Sequence, residues 1–324
     1  MLKLTVRRIS YCLLTCFFLV GMSHAETLKV AYVARTGDHL PLWVAAEAGF
    51  FKKEELDVQM VYIPGGSVLI QAMLSGDIAL ANMAPPSALT AWARGADLSL
   101  LAVGVGVPLL VVMTPPHIKT PDDLKGKKVG VSRYGSLTDL ALREALKQLN
   151  VRPDKDVAIL QAGDASERLV ALKSGAIDGA ILTPDQSYQA EKMGFHVVID
   201  VSKLPVDYPI NGIVARRLFI RNSRDTAKRF LKAWSQGIRV AKTDKDLSVK
   251  TLAKYLGIKD KDILSKSYET HKAVFQSIPY TQRKGIAFML ERLTDASPEL
   301  GKLNPDRFID GSLLSELVSE GLFK

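Results

Sequence analysis

Four side chains in the stretch Ser132-Arg133-Tyr134-Gly135-Ser136-Leu137-Thr138 have the chemistry to hold an anion or a polar head group. Ser132, Ser136 and Thr138 carry hydroxyls, and the Arg133 guanidinium can fork onto a carboxylate or sulfonate. Residues 128–132 before them form a β-branched run of the kind that makes a buried parallel strand. After them Leu137, Leu140, Ala141, Ala145 and Leu149 recur at helical spacing. Ser136 stands where an N-cap is expected, and Asp139 three residues on suggests a near capping box. The start of a helix leaves backbone N–H groups free, and they attract negative charge. From this loop alone a plainer reading stays open, in which the hydroxyls cap the helix and Arg133 is solvated.

Other candidates fall in loops of the same type. Thr36, Gly37, Asp38 and His39 follow the first expected strand, Gly66 and Ser67 the second, and Pro85 and Ser87 the third. His39 could hydrogen-bond a solute or respond to pH. Tyr134 and Tyr208 could sandwich an apolar body, Asp185 could act as a helix-start acid with a secondary contact, and Asn211 could mark a hinge. Trp43, at helical spacing from Phe50, reads as core. Catalytic patterns are missing: the chain has no HExxH, GxSxG, phosphate-loop lysine or CxxC motif. His39, His117, His196 and His271 show no metal-ligand spacing. The expectation is no metal, no cofactor and no enzyme.

The elements that must position these loops alternate. Strands are expected at 28–33, 58–63, 78–81 and 98–105, each pair separated by a Gly, Ser or Pro loop and a helix that starts at Pro41, Val68 or Ala88. A second series runs 128–132, 157–161, 179–182 and 196–200, with helices that start at Ser136, Ser166 and Thr183. That alternation argues for two α/β blocks with largely parallel sheets, whose ligands bind beyond the carboxyl ends of the strands. Extended runs near 108–118 and 203–214 read as two crossing segments, and Leu218 to Ile220 as extended. From Ser223 onward the chain is nearly all helix, a helical C-terminal tail. The expected division is lobe I at 26–112 and 213–324 and lobe II at 113–212, a clamshell that closes on a solute by hinge motion. Leu74-Ser75-Gly76-Asp77-Ile78 is faintly echoed by Lys173 to Asp178, which reads as convergent helix-end chemistry.

Residues 1–25 read as a secretory signal peptide: Lys3, Arg7 and Arg8, then a short apolar run, then Ser23-His24-Ala25 as the cleavage site. Cys12 and Cys16 both lie within it, so the remainder has no thiol for disulfides or zinc. Three of the positive charges behind the formal net charge of +9 also lie there. The other basic residues are spread out, without the interleaved aromatics that nucleic-acid binding uses. The expected setting is the bacterial periplasm.

Four segments carry a family resemblance: Pro41 to Glu54 (PLWVAAEAGFFKKE), Gln71 to Ala79, Asp123 to Ser132 and Ala171 to Ala180. Together they make the chain resemble the periplasmic solute-binding proteins of ABC importers, in the nitrate, sulfonate and taurine group related to thiamine-pyrimidine binding proteins. The resemblance implies a bilobal type II periplasmic binding fold and an ABC permease and ATPase in the cytoplasmic membrane as partners; it does not fix the ligand, and the expectation is a small anionic organic solute, such as a sulfonate or carboxylate, and a monomer. Carried over by position, it places the solute among Thr36 to His39, Ala84 to Ser87 and Arg133 to Thr138. Two other functions stay open: an enzyme on the same fold, of pyrimidine or naphthoate synthase type, and an exported ligand sensor.

Overall fold

The computed structural model describes residues 27–205, 208–294 and 303–323. The expected leader and both cysteines lie outside the described residues. The first block runs β1 (Leu28–Tyr32), α1 (Leu40–Glu47), α2 (Phe50–Lys53), β2 (Val58–Tyr62), α3 (Gly66–Ser75), β3 (Leu80–Met83), α4 (Pro85–Ala93) and β4 (Leu98–Val105). The second runs β5 (Val111–Thr114), β6 (Lys128–Val131), α5 (Leu137–Gln148), β7 (Ala158–Gln161), α6 (Ala165–Lys173), β8 (Gly179–Leu182), α7 (Pro184–Lys192) and β9 (His196–Asp200). The chain then gives β10 (Asn211–Arg216), α8 (Arg217–Asn222), α9 (Arg224–Thr243), α10 (Lys245–Leu256), α11 (Lys261–Val274), α12 (Arg283–Leu293) and α13 (Ser312–Ser319).

The strands form two five-stranded sheets, ordered β2-β1-β3-β10-β4 and β7-β6-β8-β5-β9. The two orders are the same: second, first, third, a returning strand, fourth. In each sheet the returning strand is antiparallel to both neighbours. The runs expected as crossings are therefore partly strands. Val111 and Val112 pair in the second sheet, and Asn211 and Gly212 in the first. The chain thus changes sheets two residues before the divisions drawn at 112/113 and 212/213. The echo of Leu74–Ile78 in Lys173–Asp178 falls at equivalent places, where α3 leads to β3 and α6 to β8. Gly76 and Gly175 end those helices with positive φ, +97° and +74°, a conformation that glycine adopts without a Cβ clash.

Three local expectations fail for visible reasons. The helix expected from Pro41 through Phe51 is two, because Gly49 sits at φ +71° and turns the chain between them. Leu218 to Ile220 is helical, within α8. Ser166 does not cap α6; Asp164 does, accepting from the Glu167 N–H while the Glu167 carboxylate accepts from the Asp164 N–H.

The helical tail packs mainly on the first block. It also covers the outer edge of β4, where Leu100 donates to the Phe308 carbonyl and Val103 to that of Pro279, so no open sheet edge is left at that position. Trp43 is core, as expected: it is fully buried and stacks on Tyr255 of α10 at 4.8 Å. Helix α9 lies against α1 through Gly237, where a Cβ would come within 2.2 Å of the Pro41 carbonyl oxygen and 2.9 Å of the Ala45 Cβ. Gly237→Ala should therefore push the two helices apart and lower the unfolding free energy by about 1–3 kcal/mol, the usual cost of overpacking. Urea titration with an unchanged m-value is the check.

Candidate functional site

Loops from both blocks line one cavity of about 80 Å³, room for a solute of roughly half a dozen heavy atoms. The loops after β1, β2 and β3 form one wall and those after β6, β7 and β8 the other, with Leu110 and Ile210 from the crossings between them. Helices α3, α4, α5, α6 and α7 all begin at this cavity. Their lining residues include Gly66, Ala84, Leu137, Ala165 and Thr183, each at or beside a helix start. Five positive helix ends converging on one space favour a negatively charged occupant.

The first wall presents acceptors. Asp38 is buried on the turn after β1, where the Thr36 hydroxyl donates to one of its oxygens and the Asn211 amide to the other at 2.9 Å. Asn82 donates to the Asn211 Oδ1 at 2.7 Å and to the Gly212 carbonyl at 3.1 Å. Its own Oδ1 lies 2.7 Å from His39 Nδ1. The Asn211 amide nitrogen lies 3.2 Å from the same His39 Nδ1, and His39 Nε2 lies 3.7 Å from Asp38 Oδ2.

The second wall presents mainly donors, together with the carboxylate of Asp164. Ser132, Ser136 and Thr138 form a triangle of hydroxyls with oxygens 2.8, 2.9 and 3.1 Å apart. Ser136 occupies the N-cap position of α5, yet its side chain caps nothing. Asp139 completes no capping box either: it accepts from the Gly135 N–H at 2.8 Å and pairs with Arg143. The first-turn amides of α5 are thereby left to the cavity.

Next to this triangle is Arg168, which sequence reasoning missed. It is 3% exposed, donates from Nε to the Ile181 carbonyl at 2.9 Å and from a terminal nitrogen to the Gly163 carbonyl at 2.6 Å, and lines the cavity. Among the described residues no carboxylate lies within ion-pair distance of it. Burial lowers its pKa to about 10 against the opposing pull of Asp164, so it remains a cation at neutral pH. A signal was available: Ala165, Arg168, Leu169 and Leu172 share one helical face, an arginine on an otherwise apolar stripe.

The structure sorts the expected site residues. Thr36, Asp38, His39, Gly66, Ser87, Ser132, Ser136 and Thr138 line the cavity. Gly37, Ser67, Pro85, Arg133, Tyr134, Gly135, Asp185, Tyr208 and Asn211 do not. The Arg133 stem lies beside Gly65 across the gap between the walls. Tyr134 is 48% exposed, and its hydroxyl donates to the Ile159 carbonyl. Tyr208 is packed in the core against Phe288, with ring centroids 5.8 Å apart. Asn211 acts through Asp38. Gly37, Gly135 and Asp185 join the two blocks: Gly37 N–H donates to Asp185 at 2.9 Å, and the Ser87 hydroxyl to the Gly135 carbonyl at 2.9 Å. Tyr62 adds a third bond, its hydroxyl donating to Asp164 at 3.0 Å. These three bonds tie the two blocks together beside the cavity.

Comparison with known proteins supplies the context. The family model described as NMT1/THI5 like matches residues 36–247. YtlA of Bacillus subtilis, named as a binding protein, is 26% identical over 317 residues, covering 94% of each chain. An Escherichia coli protein named as aliphatic sulfonates-binding is 26% identical, covering 75% of each. The Saccharomyces cerevisiae 4-amino-5-hydroxymethyl-2-methylpyrimidine phosphate synthase THI13 is 23% identical over 83% of this chain and 81% of its own. A solved structure from Bordetella bronchiseptica superposes with a TM-score of 0.82 at 22% identity, covering 91% of this chain and 97% of the other. The periplasmic nitrate-binding protein NrtA from Synechocystis gives 0.74 at 15% identity, covering 92% and 89%. The fold is thus the bilobal type II periplasmic binding fold that the resemblance implied.

The Asp38–Asn211–Asn82–His39 network has no access to bulk water, so breaking it leaves buried polar groups unpaired. Asn211→Ala should cost about 1–3 kcal/mol of unfolding free energy, measured by thermal and urea unfolding.

Proposed function

The chain belongs to the NMT1/THI5-like family, and from that footing we propose that the protein is an exported receptor of an ABC importer. It captures a small solute with an acidic end in the periplasm, closes on it, and presents it to a membrane permease and its ATPase. Arg168 carries the reading. A buried guanidinium held by two carbonyls on a cavity wall, with the acid of that wall, Asp164, beyond ion-pair distance and already accepting from Tyr62, is a charge with room for an anion. The hydroxyl triangle and five helix starts add donors on the same side. The names of the bacterial relatives support the transport setting, and the cavity volume supports a solute of small size.

The opposite wall refines the solute. Asp38 is an acceptor on that wall, and it calls for a donor such as an ammonium or amino group. A solute with an acidic group at one end and a donor at the other satisfies both walls; a bare oxyanion satisfies only one. The synthase relative favours a second reading, an enzyme on the same fold, in which His39 is the group placed to move a proton.

The test is thermal shift and calorimetry with matched pairs: ethanesulfonate against 2-aminoethanesulfonate, and propionate against 3-aminopropionate, with nitrate alongside. The expected result is stabilisation by an amino acid of this kind, approaching about 2.7 kcal/mol at a hundredfold excess over Kd. Arg168→Gln should weaken binding by roughly 30- to 1,000-fold. Asp38→Asn should erase the preference within a pair. Failure of every acid to stabilise, or Arg168→Gln binding like the wild type, overturns the proposal. Chemical change of the bound solute, followed by mass spectrometry, would move the assignment to the enzyme reading.

A further inference from the structure

Asp185 and His271 are both shut from solvent, and neither lines the cavity. We propose that this pair is a proton-operated latch: the closed form holds a proton on His271 that the open form releases. The inference rests on the two-lobe part of the reading above and is independent of the solute's identity.

Three elements meet at the latch. His271 on α11 brings Nε2 to 3.2 and 3.3 Å from the two oxygens of Asp185, at the start of α7. Gly37, on the turn after β1, donates its N–H to Asp185 Oδ2 at 2.9 Å. The ring occupies the space a side chain at residue 37 would need, since a Cβ there would lie 2.3 Å from His271 Cδ2. Helix α11 packs on α10, which packs on α1 of the first lobe, while α7 follows β8 of the second. Opening that separates Gly37 from Asp185 therefore also takes Asp185 away from His271.

The surroundings leave the proton no second host. On α11 the ring meets Phe275, stacked at 6.3 Å, and its Nδ1 is buried without a partner. From the turn after β1 the acting charge is Asp38. From α7, beyond Asp185, Tyr188 hydrogen-bonds Thr270 and Lys192 pairs with Asp260. From α10, Lys245 pairs with Glu269. Among the groups named here His271 is the one imidazole, the side-chain type whose charge changes near neutral pH.

Burial opposes a charge on His271, but Asp185 and then Asp38 outweigh it and raise the imidazole above 6.5. Asp185 in turn is held below the ordinary carboxylate value: burial opposes this, and His271 prevails. The sign follows. The latch is at full strength below the ordinary imidazole value and is lost as pH rises through the raised one. Within that window the closed-to-open ratio falls about tenfold per pH unit. Other contacts between the second lobe and the tail, Tyr188 to Thr270, Lys192 to Asp260 and Arg292 on α12 to Glu144 on α5 at 3.1 Å, involve no imidazole and supply the background against which the latch acts.

Small-angle scattering of the unliganded full chain from pH 6 to 9.5, with NMR of the His271 ring over the same range, tests the latch. The radius of gyration should grow with pH, with a midpoint that coincides with the His271 titration. In His271→Gln, whose amide can still hydrogen-bond Asp185, the radius should no longer depend on pH. Asp185→Asn should remove the pH dependence and return the His271 ring to its ordinary titration. A radius that stays constant while His271 titrates, or a pH-dependent expansion that survives in either variant, overturns the proposal.

Discussion

A cation enclosed by protein has to be compensated by something, and around Arg168 the compensation is incomplete. The carbonyls of Gly163 and Ile181 satisfy its hydrogen bonds but leave its charge standing. Most of the site can be understood from that imbalance. The wall around it is built mainly of hydroxyls and helix starts, and its acid, Asp164, caps α6 and accepts from Tyr62 instead of pairing with it. The acid that does line the cavity on the other side, Asp38, is tied back by Thr36 and Asn211. The two charges are thus carried on separate lobes, and what enters between them must suit both.

Much of this was legible from residue order. The strand–loop–helix alternation gave the two α/β blocks, and the runs at 98–105, 179–182 and 196–200 became strands with those bounds. The loops at the strand ends are the loops that line the cavity. What escaped were matters of side-chain direction. Arg133 and Arg168 look alike as letters, yet Arg133 lies in a loop with its stem along Gly65, whereas Arg168 rides a helical face that must be buried. Ser136 has the type and position of a cap but spends its hydroxyl on Ser132 and Thr138. Tyr134 and Tyr208 sit on the expected loops and turn into other surroundings. Periodicity tells which face a residue occupies in a helix; in a loop no period exists, and tertiary contacts decide.

The tail does more than cover one lobe. Its helices meet the second lobe at α7, through His271, and at α5, through Arg292. Closure is therefore held by contacts on the tail as well as by the loops around the solute. The Gly37–Asp185 bond links the two sets, because one carboxylate serves both the turn beside the cavity and the ring on the tail.

The returning strands have a consequence for how such a chain is made. Strand β10 sits between β3 and β4, so the first sheet stays incomplete until residue 216 is available. The first sheet therefore cannot be completed before two thirds of the polypeptide has left the ribosome.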